Sequence, residues 1–483
     1  MKSKYLNEIL DPGLLVERQS IEKLLIRKVV YDSRKVEDQS LFVAIKGFTT
    51  DGHNFLGDVS ERGAVSAVVE KKSTDIKIPQ YLVKDSRIAL ASIASAFYRP
   101  EIDQMHVVGI TGTNGKTTTA LLIQSLLNQA ELSSGLIGTI HYDIGGKLIQ
   151  AWNTTPESVD ICQMMVDMYR ENQRGCVIEA SSHGLALHRL DGIKFEIAVF
   201  TNLSQDHMDF HTDFEDYYQA KKLLFSHLKP EGTAIINSGD PYGQRLLEDL
   251  TLKSIDFNLS GQAAVTATHW ESSIDGLTVF AQTGKGELHI TSPLIGKFNI
   301  ENILAAISTG VALDINLETI KRGIENVSRV PGRLEPVSVN TDKKIMVDYA
   351  HTPDALEKAL SVLSELTEQN VWVVFGCGGN RDKLKRPLMG KIAANIADRV
   401  IITSDNPRSE SPESIINEIL SGITDKNNVE VEQDRRKAIQ FALNKSSSGD
   451  IILIAGKGHE NYQEIEGIKY PFDDRQVVKE LVR

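Results

Sequence analysis

Residues 109–120 read GITGTNGKTTTA, a run of small residues, hydroxyls and one lysine whose chemistry suits phosphate. A phosphate cradle needs backbone N–H groups aimed at the anion, the N-terminus of a helix behind them, a lysine to meet the charge and a hydroxyl for Mg²⁺. Gly112 and Gly115 permit tight turns, with Thr113 and Asn114 between them. Lys116 supplies the ammonium, and Thr117 or Thr118 opens the helical run TTTALLIQSLL after the apolar strand VVGI. The usual pattern G-x-x-x-x-G-K-[ST] expects a glycine at 110, where this chain has Ile110, but the strand before and the helix after are the context the pattern requires. The loop alone leaves open which kind of nucleotide chemistry it serves.

Metal partners of such a loop come from later strand ends. Glu179 closes the strand GCVIE before the small-residue turn ASSHG, and His207 follows the strand IAVF in TNLSQDHMDFH. Either fits Mg²⁺ ligation, and a structural role for either is the competing reading. A third candidate is a lysine. The segment FEDYYQAKKLLFSHL reads as an amphipathic helix with Phe214, Tyr217, Tyr218, Leu224, Phe225 and Leu228 on one stripe, and Lys221 falls inside that stripe while Lys222 turns away. Lys221 either snorkels, with its stem buried and its ammonium in water, or is desolvated enough to react with CO₂ and become a carbamate able to bind Mg²⁺.

These residues need a scaffold, and the rest of the chain supplies it. Strand-like and helix-like patterns alternate nearly throughout, as in VWVVFG then RPLMGKIAANIA and RVIIT then SPESIINEIL, which predicts βαβ units and parallel sheets in an α/β fold. The 483 residues suffice for about three domains. Cuts fall near 99, where IALASIASAFY ends at Arg99-Pro100, and near 334, where helix gives way to KKIMVDYA. In the last segment Asp348, Gly378, Gly379, Arg381, Asp405, Arg408, Gly456 and Glu460 all follow predicted strands, at the edge where open α/β sheets bind ligands.

Composition excludes several classes. A formal net charge of −12 argues against nucleic acid as a partner. Three cysteines, Cys162, Cys176 and Cys377, with no C-x-x-C pair, suggest neither a disulfide framework nor a structural zinc site, and fit a reducing cytoplasm. The N-terminus lacks the uninterrupted apolar core of a signal peptide, and no stretch approaches the roughly 18 apolar residues of a membrane span. The expectation is a cytoplasmic, monomeric protein of small-molecule substrates, without membrane insertion.

The motifs TGTNGKTTT, EASSHGL, FTNLSQDHMDFH, YYQAKK, GKFNIENILAA, RVPGRLE, VDYAHTPDALE and AGKGHE, in that order, resemble the Mur ligases, ATP-dependent amide-forming enzymes of peptidoglycan synthesis. That family writes its loop TGTNGKT, so Ile110 is no defect. The resemblance implies three domains: 1–99 for a UDP-sugar, 100–333 as a central P-loop ATPase, and 334–483 as a C-terminal Rossmann-like domain binding the incoming amino acid. YDSRKVEDQSLFVAIKGFTTDGHNF with NTTPE at 153–157 is similar to the branch that adds the third peptide residue.

By the resemblance, the 112–118 loop with Lys116 holds ATP phosphates. Asn302 lies on the adenine side, Arg333 and Asp348 reach ATP from the hinge and third domain, and Thr117, Glu179, His207 and a carbamylated Lys221 hold two Mg²⁺. The UDP-MurNAc-dipeptide falls to Tyr31, Ser33, Phe48, Thr49, Thr50, Asn153, Thr154, Thr155, Ser181, Leu187 and Arg189, with Leu187 standing where some relatives carry glutamine. For the incoming amine, DNPR at 405–408 resembles the diaminopimelate-adding members. Diaminopimelate differs from lysine by a distal carboxylate, and the Arg408 fork suits bidentate binding of that group. Asp405, Asn406, Pro407, Arg381, Gly456 and Glu460 complete the pocket. L-lysine as the added amine, a folylpolyglutamate synthetase-like ligase and a non-catalytic binding protein are the competing readings.

Overall fold

The computed structural model describes residues 3–48 and 50–482, so Thr49 lies outside the described residues. The chain divides into two compact units: residues 1–111, 131–198 and 219–234 form one, and residues 112–130, 199–218 and 235–483 the other.

In the first unit, Lys28–Val30, Ser40–Val43, Ala64–Val69 and Gln80–Leu82 form a parallel four-stranded sheet in that order. Buried Val30, Phe42, Ala67 and Val69 pack with Leu56 and Val59. The helix Ser86–Tyr98 starts where the Asp85 side chain accepts from the N–H groups of Arg87 and Ile88, which stops the preceding strand and satisfies two helix-end donors. A second set of strands runs Lys147–Gln150, His141–Ile144, Ser134–Ile137, Gly175–Glu179, His106–Thr111 and Phe195–Phe200. The first two pairings are antiparallel, and the pairings of Gly175–Glu179 with Ser134–Ile137 and with His106–Thr111 are parallel. Parallel strands buried on both faces read as continuous apolar runs, and VVGI and CVI do.

The second unit holds four adjacent strands, Ser254–Asn258, Val265–Ser273, Gly276–Thr283 and Gly286–Ser292, with the first pairing parallel and the other two antiparallel, backed by the helix Lys297–Ala312. It also holds a six-stranded sheet in the order Glu335–Pro336, Lys344–Asp348, Ile451–Ala455, Val371–Phe375, Arg399–Ile402 and Val429–Val431, parallel except for its first pairing. Alternation along Val371–Phe375 sends Val371, Val373 and Phe375 to one face and Trp372 and Val374 to the other. Residues of Pro353–Glu365, Lys385–Ile396 and Pro412–Leu420 cover the first face, and residues of Arg435–Lys445 and Asp474–Leu481 the second. Helices on both faces of a parallel sheet make this a doubly wound arrangement, with the crevice for ligands outside the carboxyl ends of the strands. No helix of the described residues is long and apolar enough to cross a membrane.

The helix carrying Lys221 is Phe214–Ser226, ending two residues before its apolar stripe does. Leu228 instead begins the strand Leu228–Asn237, because a short apolar run does not distinguish a helix end from a strand start.

Candidate functional site

Ile110 is fully buried within the strand His106–Thr111, so the turn begins only after it. The loop's glycines serve different ends. A Cβ at Gly109 would lie 2.8 Å from the Phe195 ring and 2.9 Å from Leu224, so this glycine lets elements pack. Gly112 has φ +148 and Gly115 φ +86, conformations that side-chain-bearing residues rarely adopt.

In the second unit, Gly115 is the N-cap of the helix Lys116–Gln129, and no side chain caps that helix end. The first N–H groups of a helix have no partner within the helix, and these are the donors that phosphate binding uses. The Lys116 ammonium folds back onto the Gly112 and Thr113 carbonyls at 2.9 and 2.8 Å, over the loop. The segment 201–204 braces the loop from below: Thr113 N–H donates to the Asn202 carbonyl, Asn114 N–H to Asn202 Oδ1, and Thr201 Oγ1 to the Asn114 carbonyl. Asp354 accepts from both Asn114 Nδ2 at 2.6 Å and Ser204 Oγ at 3.0 Å.

Asn302 is buried under the turn, where its Oδ1 accepts from Thr119 Oγ1 and a Cβ on Gly115 would lie 2.4 Å from it. Arg333 Nη2 reaches to 3.5 Å from Thr117 Oγ1, with its guanidinium over the Tyr349 ring. Asp348 is buried and accepts from the N–H groups of Leu334 and Ala350, so its carboxylate fastens the turn that carries Arg333. Burial pushes its pKa up. His207 has φ +57, and its Nε2 lies 3.3 Å from Asp206 Oδ2.

The first unit places Glu179 at the end of its strand, 1% exposed, with Oε1 accepting from Thr139 N–H and Oε2 from Thr139 Oγ1, both at 2.9 Å. Thr155 Oγ1 donates to the Glu179 carbonyl and lies 3.0 Å from Ser181 Oγ, while Thr154 Oγ1 meets Thr139 Oγ1. The Asn153 backbone is held on both sides by the Tyr142 hydroxyl. Arg189 donates to Glu157 and to the Thr155 carbonyl, and Arg87 pairs with the same Glu157. Arg87 also reaches the Lys46 carbonyl, which ties in the turn bearing Phe48, 76% exposed, and Thr50. Leu187 is the C-cap of the short helix Ser182–Ala186. Ser33 opens a 3-10 turn, and Tyr31 donates to Asp160 at 2.5 Å at the edge of a cavity of about 580 Å³ lined also by Lys35, Tyr98 and Gln163.

Lys221 is 1% exposed, so its whole side chain, not its stem alone, is desolvated. The inward orientation expected from helix periodicity is therefore met. Among the described residues no group of three or more His, Cys, Asp and Glu side chains is gathered as a metal site. The expected donor set has a different make-up: one hydroxyl, one carboxylate, one imidazole and a lysine.

At the carboxyl edge of the C-terminal sheet the second unit assembles a polar cluster. Asn406 Nδ2 donates to Glu460 Oε2 at 2.8 Å, and Asn406 Oδ1 accepts from Glu464 N–H. Gly456 has φ +110, and a Cβ there would sit 2.4 Å from Asp405 Oδ2. Burial raises the Glu460 carboxyl, and Asp405 raises it further. Arg408, at φ +53, donates from Nη1 to the Gly379 carbonyl at 2.8 Å and lies 3.3 Å from Glu464. Pro407 is buried beside it, and the exposed Arg381 donates to the Asn380 carbonyl.

Several supporting residues escape sequence reasoning. Asn202, Ser204 and Asp354 hold the loop, Glu157 gathers two arginines, and Arg386, fully buried, joins Glu410 and Glu418 and donates to the Gly378 carbonyl. All lie in or beside the stretches quoted above, yet nothing in their spacing marks them.

Comparison with known proteins follows the same path along the chain. The Mur ligase family catalytic domain is matched over residues 25–121, the Mur ligase middle domain over 110–310, and the Mur ligase glutamate ligase domain over 332–458. A curated protein of Geobacter metallireducens, UDP-N-acetylmuramoyl-L-alanyl-D-glutamate–2,6-diaminopimelate ligase, is 42% identical over 95% of this chain and 94% of its own length. The chain belongs to the Mur ligase family. A relative of the same name from Aquifex aeolicus is 43% identical over 95% of this chain and 94% of its own. A solved structure, again of a UDP-N-acetylmuramoyl-L-alanyl-D-glutamate–2,6-diaminopimelate ligase, superposes with a TM-score of 0.69 at 31% identity, covering 98% of this chain and 99% of that one. The three-domain α/β architecture of the Mur ligases is thus the fold of this chain.

Proposed function

We propose that this Mur ligase is an ATP-dependent ligase joining meso-diaminopimelate to the D-Glu side-chain carboxylate of UDP-MurNAc-L-Ala-D-Glu, a cytoplasmic step in making peptidoglycan precursors. The observation that carries the reading is the 42% identity, sustained over 95% of the chain, to a ligase of that name. Residues 1–99 take the UDP-sugar, 100–333 the ATP and 334–483 the amine, in a monomer.

A carboxylate is a poor electrophile because oxide cannot leave. Transfer of the γ-phosphoryl group to it gives an acyl phosphate, which the amine attacks with loss of phosphate. Bringing a carboxylate against a triphosphate is electrostatically costly, and Lys116 with the N–H groups of its helix offsets the repulsion and the charge that develops in transfer. Ser33, Asn153, Thr154, Thr155, Ser181 and Arg189 hold the nucleotide-peptide, and Glu157 pre-orients Arg189. Asn302 and Arg333 steady the nucleotide.

Thr117, Glu179, His207 and Lys221 would hold Mg²⁺, Lys221 after its neutral amine has added to CO₂ and lost a proton. The fit is chemical: at this 1% exposed position a carbamate would be a desolvated anion with a cation to bind. Bound Mg²⁺ supplies positive charge against the phosphates. Lys221→Ala is expected to lose most activity and to regain part of it with added short-chain carboxylic acids. Near-normal activity of that variant would remove the carbamate from the reading.

The function itself is tested by product analysis with ATP, the dipeptide nucleotide and each candidate amine. Phosphate release that requires all three substrates, with a product heavier by one diaminopimelate residue, is the expected result. ATP turnover indifferent to the dipeptide nucleotide would exclude it.

A further inference from the structure

Lys457 stands in AGKGHE between two glycines of positive φ and has no assigned part in the chemistry above, yet its side chain is 0% exposed. Its ammonium donates to Asn406 Oδ1 at 3.1 Å and to Glu460 Oε2 at 3.3 Å, lies 3.8 Å from Asp405 Oδ1, and sits 5.6 Å from the centroid of the Tyr462 ring. A buried lysine is expensive unless paired and hydrogen-bonded, and here each partner belongs to the pocket assigned to the incoming amine.

Two consequences follow. An amide side chain has two orientations, and Asn406 is restricted to one because its oxygen accepts from Lys457 and from the Glu464 N–H while its nitrogen donates to Glu460. Glu460 in turn receives bonds from both Asn406 and Lys457. The second consequence is charge. Asp405 and Glu460 are two carboxylates in one buried cluster, and one lysine between them leaves a single net negative charge, suited to one ammonium group. Without that cation the like charges favour protonation of Glu460, which then no longer attracts an ammonium.

We propose that Lys457 is a positioning residue for the amine substrate: it locks Asn406 and Glu460 in place and sets the charge of the cluster that receives the ammonium of the incoming diamino acid. This rests on the diamino-acid reading of the pocket. Burial and Asp405 raise the Glu460 carboxyl, and Lys457 and Asn406 oppose them, in keeping with that role. The charged and titratable groups around Glu460 are Asp405, Lys457, Tyr349, Tyr462 and Arg435.

The test uses the full chain with Lys457→Met, which keeps the stem and removes charge and donors, and Lys457→Gln, which keeps a donor. Wild type must first form amide with a diamino acid. If it does not, the functional reading fails and Lys457 is not at issue. Given turnover, KM for the amine is expected to rise roughly ten- to a hundredfold in Lys457→Met, the worth of a hydrogen bond to a charged group, with kcat and the KM values for ATP and dipeptide nucleotide changing little. Lys457→Gln should recover part of the loss. The acid limb of amine kcat/KM should move to higher pH in both variants. If Lys457→Met lacks a cooperative unfolding transition, Lys457→Gln carries the same readouts. An unchanged amine KM, a rise in all three KM values together, or an acid limb that does not move overturns the proposal.

Discussion

Lys116→Ala is expected to form no detectable acyl phosphate while binding UDP-MurNAc-L-Ala-D-Glu as tightly as wild type. The lysine lies over the loop, donating to the Gly112 and Thr113 carbonyls, on a helix whose N-terminus no side chain caps. It is thus the one side-chain cation in the loop 112–118, and its removal leaves the transferring phosphoryl group with backbone dipoles but no formal positive charge from that loop. Loss of one such preorganised contact costs on the order of a thousandfold in rate. Binding of the sugar-peptide should persist because its candidate residues have supports of their own: Glu157 for Arg189, Tyr142 for Asn153, and Glu179 for Thr155. The measurements are rapid-quench detection of the phosphorylated intermediate and calorimetry with the dipeptide nucleotide. If both binding and chemistry fail, and the unfolding midpoint is unchanged, the assignment of separate sites for ATP and sugar-peptide is wrong. If chemistry survives, Lys116 is not the phosphate lysine.

Much of this was legible in the sequence, for identifiable reasons. The strand VVGI and the helix after Gly115 could be read because a buried parallel strand is an unbroken apolar run and Gly-Lys-Thr marks the helix start. Lys221 could be placed inside because three- and four-residue spacing from Tyr217 and Tyr218 fixes a helical face. What could not be read was reciprocity. Glu157 is one acid among many until Arg87 and Arg189, 70 and 32 positions away, arrive on it. Asp354 likewise lies 240 residues from the Asn114 amide it accepts from. Long-range polar pairs leave no periodic trace, since either partner alone is an ordinary surface residue. Arg408 is an intermediate case. DNPR announced an arginine at a strand edge, but not that Glu464 and the Gly379 carbonyl would already be using part of its fork.

That shared fork sharpens the test of which amine is added. Arg408 is 20% exposed in its side chain, with Nη1 on the Gly379 carbonyl and Nε beside Glu464, so it performs a structural task whatever the substrate. Its diamino-acid role is a separate claim: the planar guanidinium receives the distal carboxylate that diaminopimelate has and lysine lacks. Wild type is therefore expected to use meso-diaminopimelate and nearly to ignore L-lysine, and Arg408→Ala to lose most of that preference, on the order of a hundredfold, since a site built for a charged group is left with nothing to pair it. The ratio of kcat/KM for the two amines separates the roles. Loss of the structural task alone, through slackening of the loop at Gly379, lowers kcat/KM for both amines by the same factor and leaves the ratio unchanged. Loss of carboxylate recognition lowers only the diaminopimelate value. Arg408→Lys refines the reading, because it keeps a cation but not the fork, and should recover part of the preference if charge contributes and little if bidentate geometry dominates. A wild-type enzyme that prefers lysine would overturn the substrate assignment while leaving the ATP-dependent ligase chemistry intact, because Lys116 and its loop do not depend on which amine arrives.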